Sequence, residues 1–390
     1  MRVADASPGR LNLLVHAVAL ATLPLCHGAL AQESGNAASG ALEEVIVTGR
    51  YTVNDRLDTA TGLGLSLQET PQSVSILTFQ RIEDQNLDSL TDAVMNAPGT
   101  SAKEGDSSRY FFSSRGFSID NYQIDGVPML WQGGGDAGET QTNLMIFERV
   151  EVVRGATGLL TGVGEPSASL NLVHKTASST ELFGRVSAST GRWDTYGVSA
   201  DVGSRLNASG SIRGRAIVKY QQGESHTDLL ESETSVYYGT VDADLTDTTL
   251  LRLGASYQDN DPTASTWGGL PSWYADGSRS DWSRSKTIGA DWTRWASTNK
   301  NYFVHLIQQL SASWEAKFYV NVAKNDAELN LLYLYGHPDR NTGLGMGGSP
   351  YNARTERHQT VAGVQLAGDY SLFGRQHELV AGFQYSRQDF

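Results

Sequence analysis

IRGRAIVKY, Ile212 to Tyr220, decides the fold of the second half of the chain. Ile212, Gly214, Ala216, Val218 and Tyr220 fall on one side and Arg213, Arg215 and Lys219 on the other, with Ile217 the one apolar residue on the polar side. A period of two predicts a strand with one apolar face. The pattern recurs: Tyr196, Val198, Ala200 and Val202 alternate with Thr195, Gly197, Ser199 and Asp201, and Leu251, Leu253, Ala255 and Tyr257 with Arg252, Ser256 and Gln258. Leu379, Ala381, Phe383 and Tyr385 repeat it near the end. Each segment is about ten residues, enough for a tilted strand to cross a bilayer, and longer than the ~5–6 residues of a soluble sandwich strand. Aromatics gather towards strand ends (Trp193, Tyr220, Tyr237, Tyr257, Tyr370, Tyr385), where an interfacial girdle would place them.

The N-terminus predicts export. Arg2 and Arg10 precede an apolar run from Leu11 to Cys26, and Ala29-Leu30-Ala31 forms a small-residue cleavage site, so residues 1–31 are expected to leave as a signal peptide. Cys26 is the only cysteine, and its loss with the signal leaves a thiol-free chain suited to an oxidising compartment. The balance of 43 Asp+Glu against 30 Lys+Arg argues against a nucleic-acid partner.

Between the leader and residue 178 the elements are shorter and mixed. Ser73–Leu77 predicts a strand, Thr78 caps a short helix running to Gln85, and Asp88 or Ser89 caps a second helix carrying Leu90, Val94 and Met95, ended by Pro98-Gly99. Phe111-Phe112, Tyr122–Asp125, Arg149–Arg154 and Ser169–His174 predict further strands between Gly-rich turns. The string GATGLLTG lacks the Lys-Ser/Thr of a phosphate loop. Nearer the leader, Glu43-Glu44-Val45-Ile46-Val47-Thr48-Gly49 has strand composition and no return strand beside it.

ETPQSVSILT (69–78), RGFSIDNYQIDGVP (115–128) and ERVEVVRGATGLLTGVGEPSASLNLVHKT (148–176) resemble the plug domain of TonB-dependent outer-membrane receptors, in particular the ferripyoverdine and coprogen branch of ferric-siderophore receptors. The resemblance runs through GRWDTYGVSADV, RGRAIVKYQ, TSVYYGTVDADL, ASYQDNDP and GRQHELVAG, and so covers nearly the whole mature chain. It implies an α+β plug (61–178) preceded by a periplasmic segment (32–60) and followed by antiparallel transmembrane β-barrel strands (181–390). Residues Glu43, Glu44, Val45, Ile46, Val47, Thr48 and Gly49 then read as a TonB box, which pairs by strand addition with TonB, energised by ExbB and ExbD. The alternative is a plain first strand of the plug. Only 11 residues run from Gln32 to Leu42, which leaves no room there for the signalling domain of transcription-coupled relatives.

The implied function is energised uptake of a ferric siderophore at the outer membrane of a Gram-negative bacterium, with no enzymatic step and no resident cofactor, since iron arrives already chelated. A receptor for another nutrient, such as cobalamin or a glycan, or a surface docking protein without transport, is the alternative. The resemblance carries ligand contact to Arg109, Trp267 and Trp295, proposes Trp131 as a plug-tip aromatic, and carries plug–barrel ion pairs to Arg115 and Arg154. An ion pair with Glu148 or Glu151 inside the plug is the other reading of these arginines. Family barrels have 22 strands, whereas about ten strand-like segments follow Glu181 by the length criterion, so the chain is expected to be an incomplete piece of such a receptor.

Overall fold

The computed structural model describes residues 70–130, 137–155 and 166–390. The Glu43–Gly49 segment and Trp131 lie outside the described residues.

The N-terminal mixed domain begins with β1 (Ser73–Thr78), whose last residue becomes the N-cap of helix α1 (Phe79–Asp84): Thr78 Oγ1 accepts the Arg81 backbone N–H. Ser89 opens α2 (Leu90–Asn96) with a capping box, its side chain accepting from the Asp92 N–H while Asp92 accepts from the Ser89 N–H. Strands β2 (Thr100–Glu104), β3 (Tyr110–Ser114) and β4 (Phe117–Ser118) form a small antiparallel sheet. A second sheet takes the order β1-β7-β8-β5-β6, with β5 (Asn121–Ile124), β6 (Val127–Met129), β7 (Phe147–Arg154) and β8 (Ala168–His174). Only β5 and β8 pair in parallel. Ile82 of α1, Leu87 between the helices, and Leu90, Ala93 and Val94 of α2 share a core with Leu77, Val150, Val152, Leu170 and Leu172 of this sheet, and those side chains are buried.

From β9 (Phe183–Thr190) onward every strand pairs antiparallel with the next. The run is β10 (Tyr196–Arg205), β11 (Ile212–Glu224), β12 (Glu231–Thr246), β13 (Thr249–Asn260), β14 (Arg294–Ser311), β15 (Trp314–Gly336), β16 (Met346–Leu372) and β17 (Arg375–Asp389). The face predicted to be apolar is the outward one, with Tyr196, Val198, Val202, Val218, Leu253 and Tyr257 exposed. The polar face turns towards the mixed domain, and Ile217, the exception in the sequence pattern, is fully buried in that domain's apolar core together with Val236, Tyr238 and Phe303. Its apolar side chain on the polar face is therefore a packing contact.

Nine strands are present where about ten were expected from the length criterion, and those from β11 onward exceed the expected length, β14, β15 and β16 most of all at 18, 23 and 27 residues. One end of the sheet turns tightly, at Asp247-Thr248 and Phe373-Gly374. The other carries the 33-residue connection from Asp261 to Thr293 and the 337–345 turn. Among the described residues no helix is long and apolar enough to cross a membrane.

Candidate functional site

The β2–β3 turn of the mixed domain reaches the long-loop end of the sheet. Gly105 N–H donates to the Arg109 carbonyl at 2.9 Å, closing the turn. Inside it Asp106 accepts from the backbone N–H of Ser108 (3.2 Å) and Arg109 (3.0 Å), the local bonding that makes Asp favourable in turns. The Arg109 guanidinium lies over the Trp295 ring, 5.0 Å from its centroid. Trp295, buried at the start of β14, is fixed by donation of its backbone N–H to Ser265 Oγ at 3.0 Å.

Trp267 stands in the long β13–β14 connection against Tyr333 (5.4 Å between centroids) and Tyr351 (5.0 Å). It packs on the cluster of Trp295, Ala137, Leu329 and Leu331. Three of the four residues singled out from the sequence, Arg109, Trp267 and Trp295, thus come together from elements up to 186 residues apart. Tyr333 and Tyr351 were missed because alternation assigns aromatics on long strands to a membrane girdle; only the excess length of β15 and β16 signals that these rise above it.

The turn is stitched to the connection beside Trp267. Ser107 N–H donates to Thr266 Oγ1 at 3.0 Å, and Thr266 N–H donates back to Ser107 Oγ at 2.9 Å. Below this level the two domains meet through polar groups. Glu139, in a short 3-10 turn whose preceding Gly138 is left-handed, accepts from Arg357 of β16 at 2.7 Å, both side chains 5% exposed. Burial pushes the Glu139 carboxyl up to about 7, with backbone N–H bonds of its own turn working against that shift. The Gln359 amide accepts from Leu130 N–H and donates to the Pro128 carbonyl; Gln258 does the same for Asn143 N–H and the Gln141 carbonyl.

At the opposite end, the fully buried Lys175 sits with its ammonium 3.3 Å from the Phe79 ring centroid and 3.4 Å from Asp201, which also binds Arg215. Lys219 pairs with Asp88 at 2.6 Å and Arg185 with Glu83, so the α1 region is held to three neighbouring strands.

Arg154 spends its guanidinium inside the mixed domain, donating to Ser73 Oγ, Ser75 Oγ (2.8 Å) and the Pro98 carbonyl. Arg115 is exposed, with a left-handed backbone (φ 54°). Burial, followed by the like charge of Arg115, lowers the Arg154 pKa, so the two cations are neighbours. Among the described residues neither makes an ion pair; Glu151 binds Arg149 and Asn171 instead. Among the described residues no group of three or more His, Cys, Asp and Glu is placed to hold a metal ion.

A family model, TonB-dependent Receptor Plug Domain, matches residues 66–169. The ferripyoverdine receptor of Pseudomonas aeruginosa is 37% identical over 338 residues, which are 86% of this chain and 41% of that protein. The ferrioxamine B receptor of Salmonella typhimurium is 31% identical over 221 residues, 54% of this chain and 30% of that protein. The crystal structure of the P. aeruginosa outer-membrane ferripyoverdine receptor bound to ferripyoverdine matches with a TM-score of 0.84 at 35% identity, covering 95% of this chain and 50% of that one. The chain spans less than half the length of these curated relatives. With a plug domain seated against a run of antiparallel strands that match such a barrel, the chain belongs to the TonB-dependent receptors.

Proposed function

We propose that the receptor to which this chain belongs imports a ferric siderophore across the outer membrane, with the Glu43–Gly49 segment handing the plug to TonB and the energy supplied through ExbB and ExbD. The observation that carries this reading is the joint cluster of Arg109, Trp267 and Trp295, to which plug and barrel both contribute. Flat aromatic faces with one oriented cation suit a chelate whose iron is already saturated, because the ligand then offers ring faces and chelating oxygens rather than open coordination sites. A pocket shared by two domains also lets binding on one be felt by the other. The long-loop end is the extracellular one in this reading, and Trp131 is a further ligand contact at the plug tip.

Arg115 and Arg154 are proposed to meet carboxylates of barrel strands beyond the nine described here. Two neighbouring guanidiniums with only neutral partners among the described residues call for counter-charge once enclosed.

The test joins the chain in frame to the remaining strands of the P. aeruginosa relative and expresses it in iron-starved cells lacking their own receptor. Growth on ferripyoverdine or ferrioxamine B is expected and should be abolished by deleting residues 43–49. Growth that survives the deletion refutes TonB-driven import through this segment.

A further inference from the structure

Asp106 has no part in the reading of the pocket given so far, yet it is its most heavily committed carboxylate. Its side chain is fully buried. Oδ1 accepts the backbone N–H of Ser108 and of Arg109, and Oδ2 accepts Nε (2.9 Å) and Nη2 (2.5 Å) of the Arg109 guanidinium. One carboxylate thus fixes the main chain and the side-chain plane of the same arginine. Ser107, between them, is clasped to Thr266, and its carbonyl accepts from Gln141 Nε2 at 3.3 Å, so the turn that carries Asp106 is itself anchored. What remains of the guanidinium is one face on Trp295 and the end-on N–H groups of Nη1 and Nη2. Nearby, Arg294 binds Asp261 and Glu328, and Arg354 binds Glu328.

Resting on the siderophore reading of the site, we propose that Asp106 is its positioning residue, holding the Arg109 guanidinium flat on Trp295 with its charge cancelled, so that the pocket takes a ferric chelate of low net charge, of the hydroxamate class, by its oxygen atoms and apolar faces. The chemistry follows from the pairing. A free arginine would attract a polyanion from a distance, whereas an Asp–Arg pair carries no net charge and keeps only short-range, directional donors. A ferric hydroxamate offers carbonyl and N–O oxygens to those donors and aliphatic linkers to Trp267, Tyr333 and Tyr351. A tris-catecholate carries several negative charges that the neutralised Asp106–Arg109 pair does not compensate.

The experiment uses the full chain in detergent micelles, with tryptophan fluorescence reporting titration by ferrioxamine B–iron, ferripyoverdine and a ferric tris-catecholate. Asp106→Asn is expected to weaken ferrioxamine B–iron binding about tenfold, the worth of one charge-assisted hydrogen bond. Arg109→Ala should lose a similar factor, and the double variant no more than either alone, because Asp106 acts through Arg109. Additive losses overturn the positioning role, and Asp106→Glu should recover part of the affinity. Tris-catecholate binding to the unaltered chain as tight as that of ferrioxamine B overturns the ligand class. A ligand-free readout separates the two levels of the argument: phenylglyoxal labelling of Arg109, followed by mass spectrometry, should be several-fold faster in Asp106→Asn. Equal labelling rates overturn the positioning role. A labelling contrast in a chain that binds none of the three chelates sustains the positioning role and refutes the siderophore reading instead.

Discussion

Replacing Arg357 by Met probes an enclosed ion pair between plug and barrel. Arg357 and Glu139 are each 5% exposed, 218 residues apart in the chain and 2.7 Å apart in the fold. The carboxylate also accepts its own turn's Ala137 N–H, at 3.0 Å to Oε2. Methionine keeps the volume and removes the charge, which leaves Glu139 stranded; breaking a buried pair from one side costs roughly 3–5 kcal/mol. The stranded carboxyl can escape by taking a proton, and burial already pushes it up to about 7 from 4.5. A carboxyl whose folded pKa lies above its unfolded value binds extra protons in the folded state, so its contribution to stability falls as pH rises from 4.5 to about 7. The loss in Arg357→Met is therefore expected to be largest above pH 8 and to shrink below pH 6. Glu139→Gln/Arg357→Met should recover most of it at every pH. Chemical unfolding of the chain in micelles at pH 5.5, 7 and 8.5 measures this. A loss under about 1 kcal/mol at pH 8.5, well short of the cost of a stranded charge, or one that grows on acidification, would refute the view that this pair is dry and seats the plug.

Lys175 supplies the opposite slope. Burial lowers its ammonium from 10.5 to about 8, with Asp201 pulling it back up and Arg215 pushing it down. The unfolded chain then binds more protons between those values, so stability should rise from pH 8 to about 10.5 and be flat over that window in Lys175→Met, read from unfolding midpoints. Gly138→Ala should loosen the plug tip. Gly138 is left-handed (φ 86°) and a Cβ there would run into Ser297 Oγ of β14, so a loss of at least about 1 kcal/mol is expected. Limited proteolysis of the turn containing Glu139 should show it as faster cleavage, and unchanged cleavage would mean that the turn does not bear on β14.

The parts of this fold legible in the sequence are those whose signal is local. Thr78 and Ser89 announce their helices because a cap needs its oxygen three residues from the N–H it accepts. Alternation sets which face of β11 points outward because the side-chain period of a strand is two, and even Ile217 obeys it, facing inward where the plug core meets the wall. Strand length was less legible. Above the apolar belt the outward residues of β15 and β16 become mixed, so alternation fades while the ladder continues. Pairings across the domain boundary were least legible. Nothing near Glu139 points to Arg357, and inward arginines on a polar wall are interchangeable until the register is known. Arg109, Trp267 and Trp295 were reached through family likeness, whereas Asp106, whose bonds are all within its own turn and to Arg109, was open to a local reading as a turn-capping carboxylate.

The composition of the plug–barrel boundary bears on how a plug can be both seated and movable. The plug interior is apolar, built on Leu77, Leu90, Val94, Leu170 and Leu172. Its contact with the wall rests mainly on Gln258, Gln359, Arg357, Asp201 and Lys219, with Ile217, Val236, Tyr238 and Phe303 as the apolar exception. Each hydrogen bond across such a boundary exchanges for one with water at a net of roughly 0.5–1.5 kcal/mol, whereas burying a large apolar side chain is worth about 1.5–3. A polar boundary therefore fixes orientation through directional bonds while keeping separation inexpensive once water can enter.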